Sequence, residues 1–253
     1  MKNLLLSLKN FFEHCLGFFI IRHCGTVVFF IVEKISQWFL YRMQLNAVIK
    51  NQRINLVLDV GANEGQFAQK LRYFFSGEII SFEPVKSVFD TLAKNAARDK
   101  KWQTFHLALG NENGEKTIHK ADNSVFSSLL TSNVYCNTRF GNNAQGSEDE
   151  TIQIQRLEFF TKTNLITTQG KRIFLKMDTQ GFDMEVFKGL GEIIHDIYAI
   201  QTEASLMPIY DNAPSWTDNL KVFEQAGFTV AGMYPVNRDG DQVIEYDCLL
   251  IKK

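Results

Sequence analysis

From residue 54 onward, short apolar runs alternate with segments of helical period. Ile54–Val60 (INLVLDV) is a nearly unbroken apolar stretch ended by Gly61, which predicts a buried strand. Gln66–Phe75 then sets Phe67, Leu71 and Phe74 on one helical face, Glu78–Glu83 reads as a second strand stopped by Pro84, and Lys86–Ala97 repeats Val88, Leu92 and Ala96 at helical spacing. Trp102–Leu107 is a third strand, Asn113-Gly114 a turn, and Lys116–His119 and Thr151–Gln155 are further strand-like pieces. Polar residues fill 131–150, which predicts an exposed loop, able to act as a lid. Strands follow at Arg172–Met177 and Ile197–Thr202, helices at Met184–Ile194 and Trp216–Ala226, and two closing strands at Phe228–Tyr234 and Val243–Ile251. Strands alternating with helices predict an α/β fold built on a mostly parallel sheet, covered on both faces.

The first 53 residues differ in character. They carry seven basic and two acidic side chains, a charge of +5, against −6 over the remaining 200 residues, and seven of the 22 Phe lie before residue 40. The pattern predicts two helices, near 3–21 and 26–50, with Gly25 between them. Lys9 cuts short the apolar run of Leu4-Leu5-Leu6, and no small-residue cleavage site follows, so a secretory signal is not expected. Cys15–Val32 is long enough to span a bilayer, but Arg22 near its centre would cost about 2.5–3.5 kcal/mol, so no transmembrane helix is expected either. The expected organisation is a basic, aromatic helical extension over 1–53 and an α/β domain over 54–253. Two roles for the extension stay open. It could rest on the inner membrane leaflet, where each Lys or Arg near the surface contributes about 1 kcal/mol. It could instead cover an edge of the α/β domain or a dimer partner. Composition narrows the class further: 45% hydrophobic and 22% charged residues exclude wholesale disorder, and a net charge of −1 gives no reason to expect a nucleic-acid partner. Four scattered Cys make neither a zinc site nor a disulfide framework and suit a reduced, cytoplasmic setting.

The candidate chemistry starts at the loop after the first strand, Asp59-Val60-Gly61-Ala62-Asn63-Glu64-Gly65. In open α/β sheets, ligands bind beyond the carboxyl ends of the strands, where strand order reverses. Gly61 suits a tight turn, and Gly65 lets the helix start close to the sheet. Asn63 stands where the pyrophosphate fingerprint G-x-G-x-x-G needs its second glycine, which argues against a nicotinamide dinucleotide and an oxidoreductase. A helix N-terminus suits a carboxylate as well as a phosphate, and Asp59 could accept from an ammonium group. Glu83 follows Gly65 by 18 residues, near the offset at which an acid accepts from ribose hydroxyls. An amino-acid end and a ribose end together describe S-adenosylmethionine.

Six segments in order, Leu56–Gly65 (LVLDVGANEG), Ile80–Pro84 (ISFEP), Ala108–Gly110 (ALG), Ser127-Ser128-Leu129, Leu175–Asp183 (LKMDTQGFD) and Gln201–Ser205 (QTEAS), resemble the FkbM-type S-adenosylmethionine-dependent methyltransferases from about Asn55 to Ile251. The resemblance implies a Rossmann-like, seven-stranded methyltransferase sheet with its last strand antiparallel. It implies methyl transfer to a hydroxyl oxygen, commonly on a sugar or secondary metabolite. It also implies that Gly61, Ala62, Asn63 and Gly65 contact the methionine end, that Glu83 holds the ribose, and that Pro84 and Ala108 border the adenine. The chain departs from the family at Gln180, where an acid is common, at Asp183, which stands for a final Glu, and at Arg156-Leu157-Glu158, which replaces Arg-Leu-Asp.

An alcohol must lose its proton to accept a methyl group, so a base or a metal is expected near the acceptor. Asp178 and Glu203, at neighbouring strand ends, are the candidate catalytic carboxylates, and Lys176 shares the strand face of Asp178. The two acids could instead share a divalent metal, although none is predicted, or serve only the turn at Gln180–Gly181. Asp183 reads as a first-turn helix acid, and His106 as a satisfied rim histidine. Ser127 and Ser128 are candidates for a substrate hydroxyl or are turn residues. The expected partner is a hydroxylated small molecule, glycan or glycolipid. The alternative is a non-catalytic S-adenosylmethionine-binding module in a membrane-associated sugar-assembly complex.

Overall fold

The computed structural model describes residues 25–121, 124, 127–141, 148–211 and 213–253. The helix expected near 3–21 lies outside them. Residues 25–51 form one helix, α1 (Gly25–Asn51). The chain divides into two compact units, Met1–Leu45 and Asn46–Lys253, so the break falls inside α1 and ahead of the boundary expected at 53. In the first unit α1 exposes Ile35, Trp38, Phe39, Leu40 and Met43, with the Arg42 guanidinium 4.7 Å above the Trp38 ring. Among the described residues, no helix is long and apolar enough to cross a membrane.

The second unit contains β1 (Leu56–Val60), α2 (Gln66–Leu71), β2 (Glu78–Phe82), α3 (Lys86–Ala96) and β3 (Trp102–Phe105). Next come β4 (Ala108–Leu109), β5 (Gly114–Lys120), α4 (Val134–Phe140), β6 (Glu148–Gln155), α5 (Leu157–Thr163) and β7 (Ile173–Met177). The chain ends with α6 (Asp183–Lys188), a 3₁₀ turn (Gly191–Asp196), β8 (Ile197–Ser205), α7 (Trp216–Gln225), β9 (Phe228–Asp239) and β10 (Gln242–Lys252). Seven strands form one sheet in the order β3-β2-β1-β7-β8-β10-β9, in which β10 alone runs opposite to the other six. This is the Rossmann-like methyltransferase sheet that the sequence resemblance implies. A second sheet, β4-β6-β5, has three strands.

Strand side chains alternate between faces. Leu56, Leu58, Val60, Leu175 and Met177 enter one core, which includes Phe82, Phe160, Phe187 and Phe223. On the opposite face Phe67 of α2 stacks on Phe174 at 6.2 Å.

The stretch 131–150 is not simply an exposed loop. Residues 134–140 are α4, started by the Asn133 side chain, which accepts from the Cys136 N–H, and Cys136 is buried against Ile209, Tyr210 and Ile244. Glu148 already belongs to β6. Residues 142–147 are not among those described. A seven-residue helix is too short for its period to stand out among polar neighbours, and the same reason hides α5, whose Leu157 and Phe160 are core residues. The predicted helix 184–194 is α6 followed by the 3₁₀ turn, broken at Gly189 and Gly191.

Candidate functional site

β1 pairs with β2 on one side and with β7 on the other, so the chain turns in opposite directions from the centre of the sheet. A cleft opens at the carboxyl ends of these three strands, where such switch points place ligands. Its lining includes Gly61, Asn63, Glu83, Pro84, Ala108, Ser127, Ser128 and Asp178 among the sequence candidates. Its space is about 680 Å³ including the solvent-open part. Asp59, Ala62, Gly65 and Glu203 are not on its wall.

The glycines shape the loop by contact. Gly61 has φ +72°, and a Cβ there would lie 2.0 Å from the Asp178 carbonyl oxygen. Only a bare backbone lets the β1 loop and the end of β7 meet this closely. Gly65 (φ +89°) packs where a Cβ would lie 2.7 Å from Trp102, so its role is to seat α2 against neighbouring elements. Asn63 takes the place of a glycine because asparagine tolerates the left-handed region: its φ is 49°. Its side chain accepts from Glu64 N–H at 2.8 Å and donates to Ser124 Oγ at 3.0 Å.

Glu83, just past β2, accepts from Asn63 N–H and Val85 N–H, each at 2.9 Å, one on each carboxylate oxygen. Burial pushes its carboxyl up to about 7, against the opposing pull of these two N–H groups. A carboxylate offers about four lone-pair sites, so Glu83 can still accept from ligand hydroxyls in the cleft. Val85, Leu107, Ala108, Leu129 and Phe182 give an apolar wall beside it.

Asp59 differs from its sequence expectation. Strand register sets it opposite Ser81 in β2 and Lys176 in β7, on the same face of the sheet. Its side chain is 0% exposed, with Lys176 Nζ at 3.2 Å and Ser81 Oγ donating at 3.3 Å. The ammonium group that Asp59 meets is therefore the protein's own. Lys176 also donates to the Gly61 carbonyl at 3.0 Å and lies 3.3 Å from Asp178 Oδ2. Burial alone would lower the Lys176 pKa, but Asp178 and Asp59 outweigh it and hold the ammonium well above its usual value.

Asp178 and Glu203 are joined through Gln180. Its Nε2 donates to Asp178 Oδ1 and to Glu203 Oε2, each at 3.1 Å, while Tyr210 OH donates to its Oε1 at 2.8 Å. Burial and the nearby Asp178 and Glu245 carboxylates raise the Glu203 pKa well above normal. Asp183 lies in the first turn of α6 as expected, yet its buried carboxylate does more than face a helix dipole. It accepts from Thr179 N–H and Oγ1 and from Thr202 Oγ1 and Glu203 N–H, tying the ends of β7 and β8 together. Among the described residues, no group of three or more His, Cys, Asp and Glu side chains is arranged to hold a metal ion.

Ser128 lines the cleft, but its hydroxyl is engaged: it donates to the Gln180 carbonyl at 2.7 Å and accepts from Leu130 N–H at 2.9 Å. Ser127 Oγ accepts from Ala121 N–H at 3.2 Å. Both serines make hydrogen bonds of the turn and also lie on the cleft wall. His106 is a rim residue satisfied by the Pro84 carbonyl at 2.8 Å. Sequence reasoning did not single out Ser124 or Tyr210. Tyr210 lies between β8 and α7 in a stretch without periodicity, so nothing local marked it. Gln180 was visible only as a departure from an acid.

The family model for the methyltransferase FkbM domain matches residues 59–230. No curated protein matches the chain. Among solved structures, the magnesium protoporphyrin IX methyltransferase from Synechocystis PCC 6803 with bound SAM is 10% identical, with a TM-score of 0.46, covering 98% of this chain and 96% of that one. A putative methyltransferase from Streptococcus mutans in complex with SAH is 11% identical, with a TM-score of 0.43, covering 83% of this chain and 97% of that one.

Proposed function

The chain belongs to the FkbM methyltransferase family and uses S-adenosylmethionine, and we propose that it methylates a hydroxyl oxygen of a sugar, glycolipid or secondary metabolite. One observation carries this reading. A single cleft at the sheet's switch point has the Glu83 carboxylate on its wall, together with Asp178, which Gln180 links to Glu203.

The residues present fit the methyl donor. Glu83 can accept from ribose hydroxyls, the apolar wall of Val85, Ala108 and Leu129 suits a purine, and the bare backbone at Gly61 brings the β1 loop against the end of β7 at the floor of the cleft. When bound, the donor would supply an electrophilic methyl carbon on a sulfonium, so that in-line attack by the acceptor oxygen forms the oxygen–carbon bond as the carbon–sulfur bond breaks and a neutral thioether leaves. The protein's part is mainly alignment, which can supply about 7–11 kcal/mol of the barrier. The acceptor hydroxyl gives its proton to one of the carboxylates that Gln180 links. Hydrogen bonds from Gln180 and Tyr210 fix the geometry of that pair.

Incubation of the purified protein with methyl-labelled donor and with cell-wall or lipid extracts tests the proposal. The expected product carries its label as an ether, stable to mild alkali. Label on nitrogen, or on a carboxyl group as an alkali-labile ester, would refute oxygen transfer to an alcohol.

A further inference from the structure

Resting on the methyl-donor reading above, we propose that Asp178, rather than Asp59, receives the ammonium of the donor's amino-acid end. Asp59 is closed to any ligand: its side chain is 0% exposed, and Lys176 stands against it at 3.2 Å. Lys176 also takes the Gly61 carbonyl, so neither acceptor at that point of the loop faces the cleft without a cation already on it. Asp178 is placed differently. Its backbone lies directly against Gly61, its side chain is 39% exposed, and it forms part of the cleft wall. Lys176 holds one of its oxygens at 3.3 Å and Gln180 Nε2 holds the other at 3.1 Å. These two contacts fix the carboxylate while leaving lone pairs for a third donor, since a carboxylate accepts at about four sites. Lys176 thus neutralises the inner acid, and the outer acid is presented to the ligand.

Calorimetry with two ligands tests this without any methyl transfer. S-Adenosylhomocysteine carries the amino-acid end; 5′-methylthioadenosine shares the nucleoside and thioether but lacks it. Asp178→Ala should weaken S-adenosylhomocysteine about 10- to 100-fold, the worth of one charged hydrogen bond, and leave methylthioadenosine within about two-fold. Asp178→Asn, which keeps the shape, should shift the preference in the same direction by less. Asp59→Asn should leave the ratio of the two affinities unchanged, whereas Glu83→Ala should weaken both ligands alike. Equal weakening of both ligands by Asp178→Ala would overturn the assignment, as would a selective loss of S-adenosylhomocysteine in Asp59→Asn alone. Failure of the wild-type protein to bind either ligand would overturn the methyl-donor reading itself, and the assignment with it.

Discussion

Raising the pH from 6 to 8 should tighten nucleoside binding, because the acceptor on the cleft wall titrates in that window. Burial pushes Glu83 up to about 7. Its ionised fraction therefore climbs from about one-tenth at pH 6 to about nine-tenths at pH 8. Ribose hydroxyls donate, and a carboxylate accepts more strongly than a carboxylic acid: about 1.5–3 kcal/mol against 0.5–1.5 for a neutral bond. Both considerations lead to an affinity about 10-fold higher at pH 8 than at pH 6, levelling off above. The assay is calorimetry with 5′-methylthioadenosine, whose own charge is constant over this range, in buffers of different ionisation enthalpy. Tight binding should release close to one proton near pH 6 and almost none at pH 8. In Glu83→Ala the slope should vanish along with most of the affinity. A measurable wild-type affinity that is flat, or that falls as pH rises, would falsify the role of an ionised Glu83.

The apo protein should lose thermal stability as pH rises from 5 to 8. The carboxyls of Asp59, Glu83, Asp183, Glu203, Glu245 and Asp247 all stand above their ordinary values in the fold through burial, so the folded chain keeps protons that the unfolded chain has released. That stability is full below the unfolded values and fades as pH passes the folded ones; a melting midpoint that climbs across the window would contradict the buried acidic cluster. Lys176→Met should cost about 3–5 kcal/mol in urea unfolding, because Asp59 is left buried and unpaired, and adding Asp59→Asn should recover part of it. A fully additive pair would mean the two side chains do not interact. Gly61→Ala should abolish S-adenosylhomocysteine binding and cost more than the roughly 1–2 kcal/mol of a left-handed alanine, since its Cβ would also meet the Asp178 carbonyl. An unchanged melting curve would rule out the close approach of β1 and β7.

The central strands of the sheet could be read in the chain because each is a short apolar run closed by Gly61, Pro84 or a polar turn, and burial on both faces demands that composition. Gly61, Asn63, Glu83 and Asp178 could be read for a related reason: they sit directly at strand ends, and a cleft of this fold lies where those ends meet. What the chain did not disclose was which polar side chain each acid would meet. The residues that pair with Asp59 and Glu203 are 117 and 23 positions away along the chain, and only the register of β1 against β7 puts Lys176 beside Asp59. The helix at 134–140 and the inward path of Tyr210 belong to the same class, since both depend on packing against β10 and not on their own period. Apolar periodicity thus fixed the strands and their ends, because burial acts residue by residue. Pairing of charges was decided in three dimensions, because Coulombic contacts form between whichever side chains the sheet brings within a few ångströms.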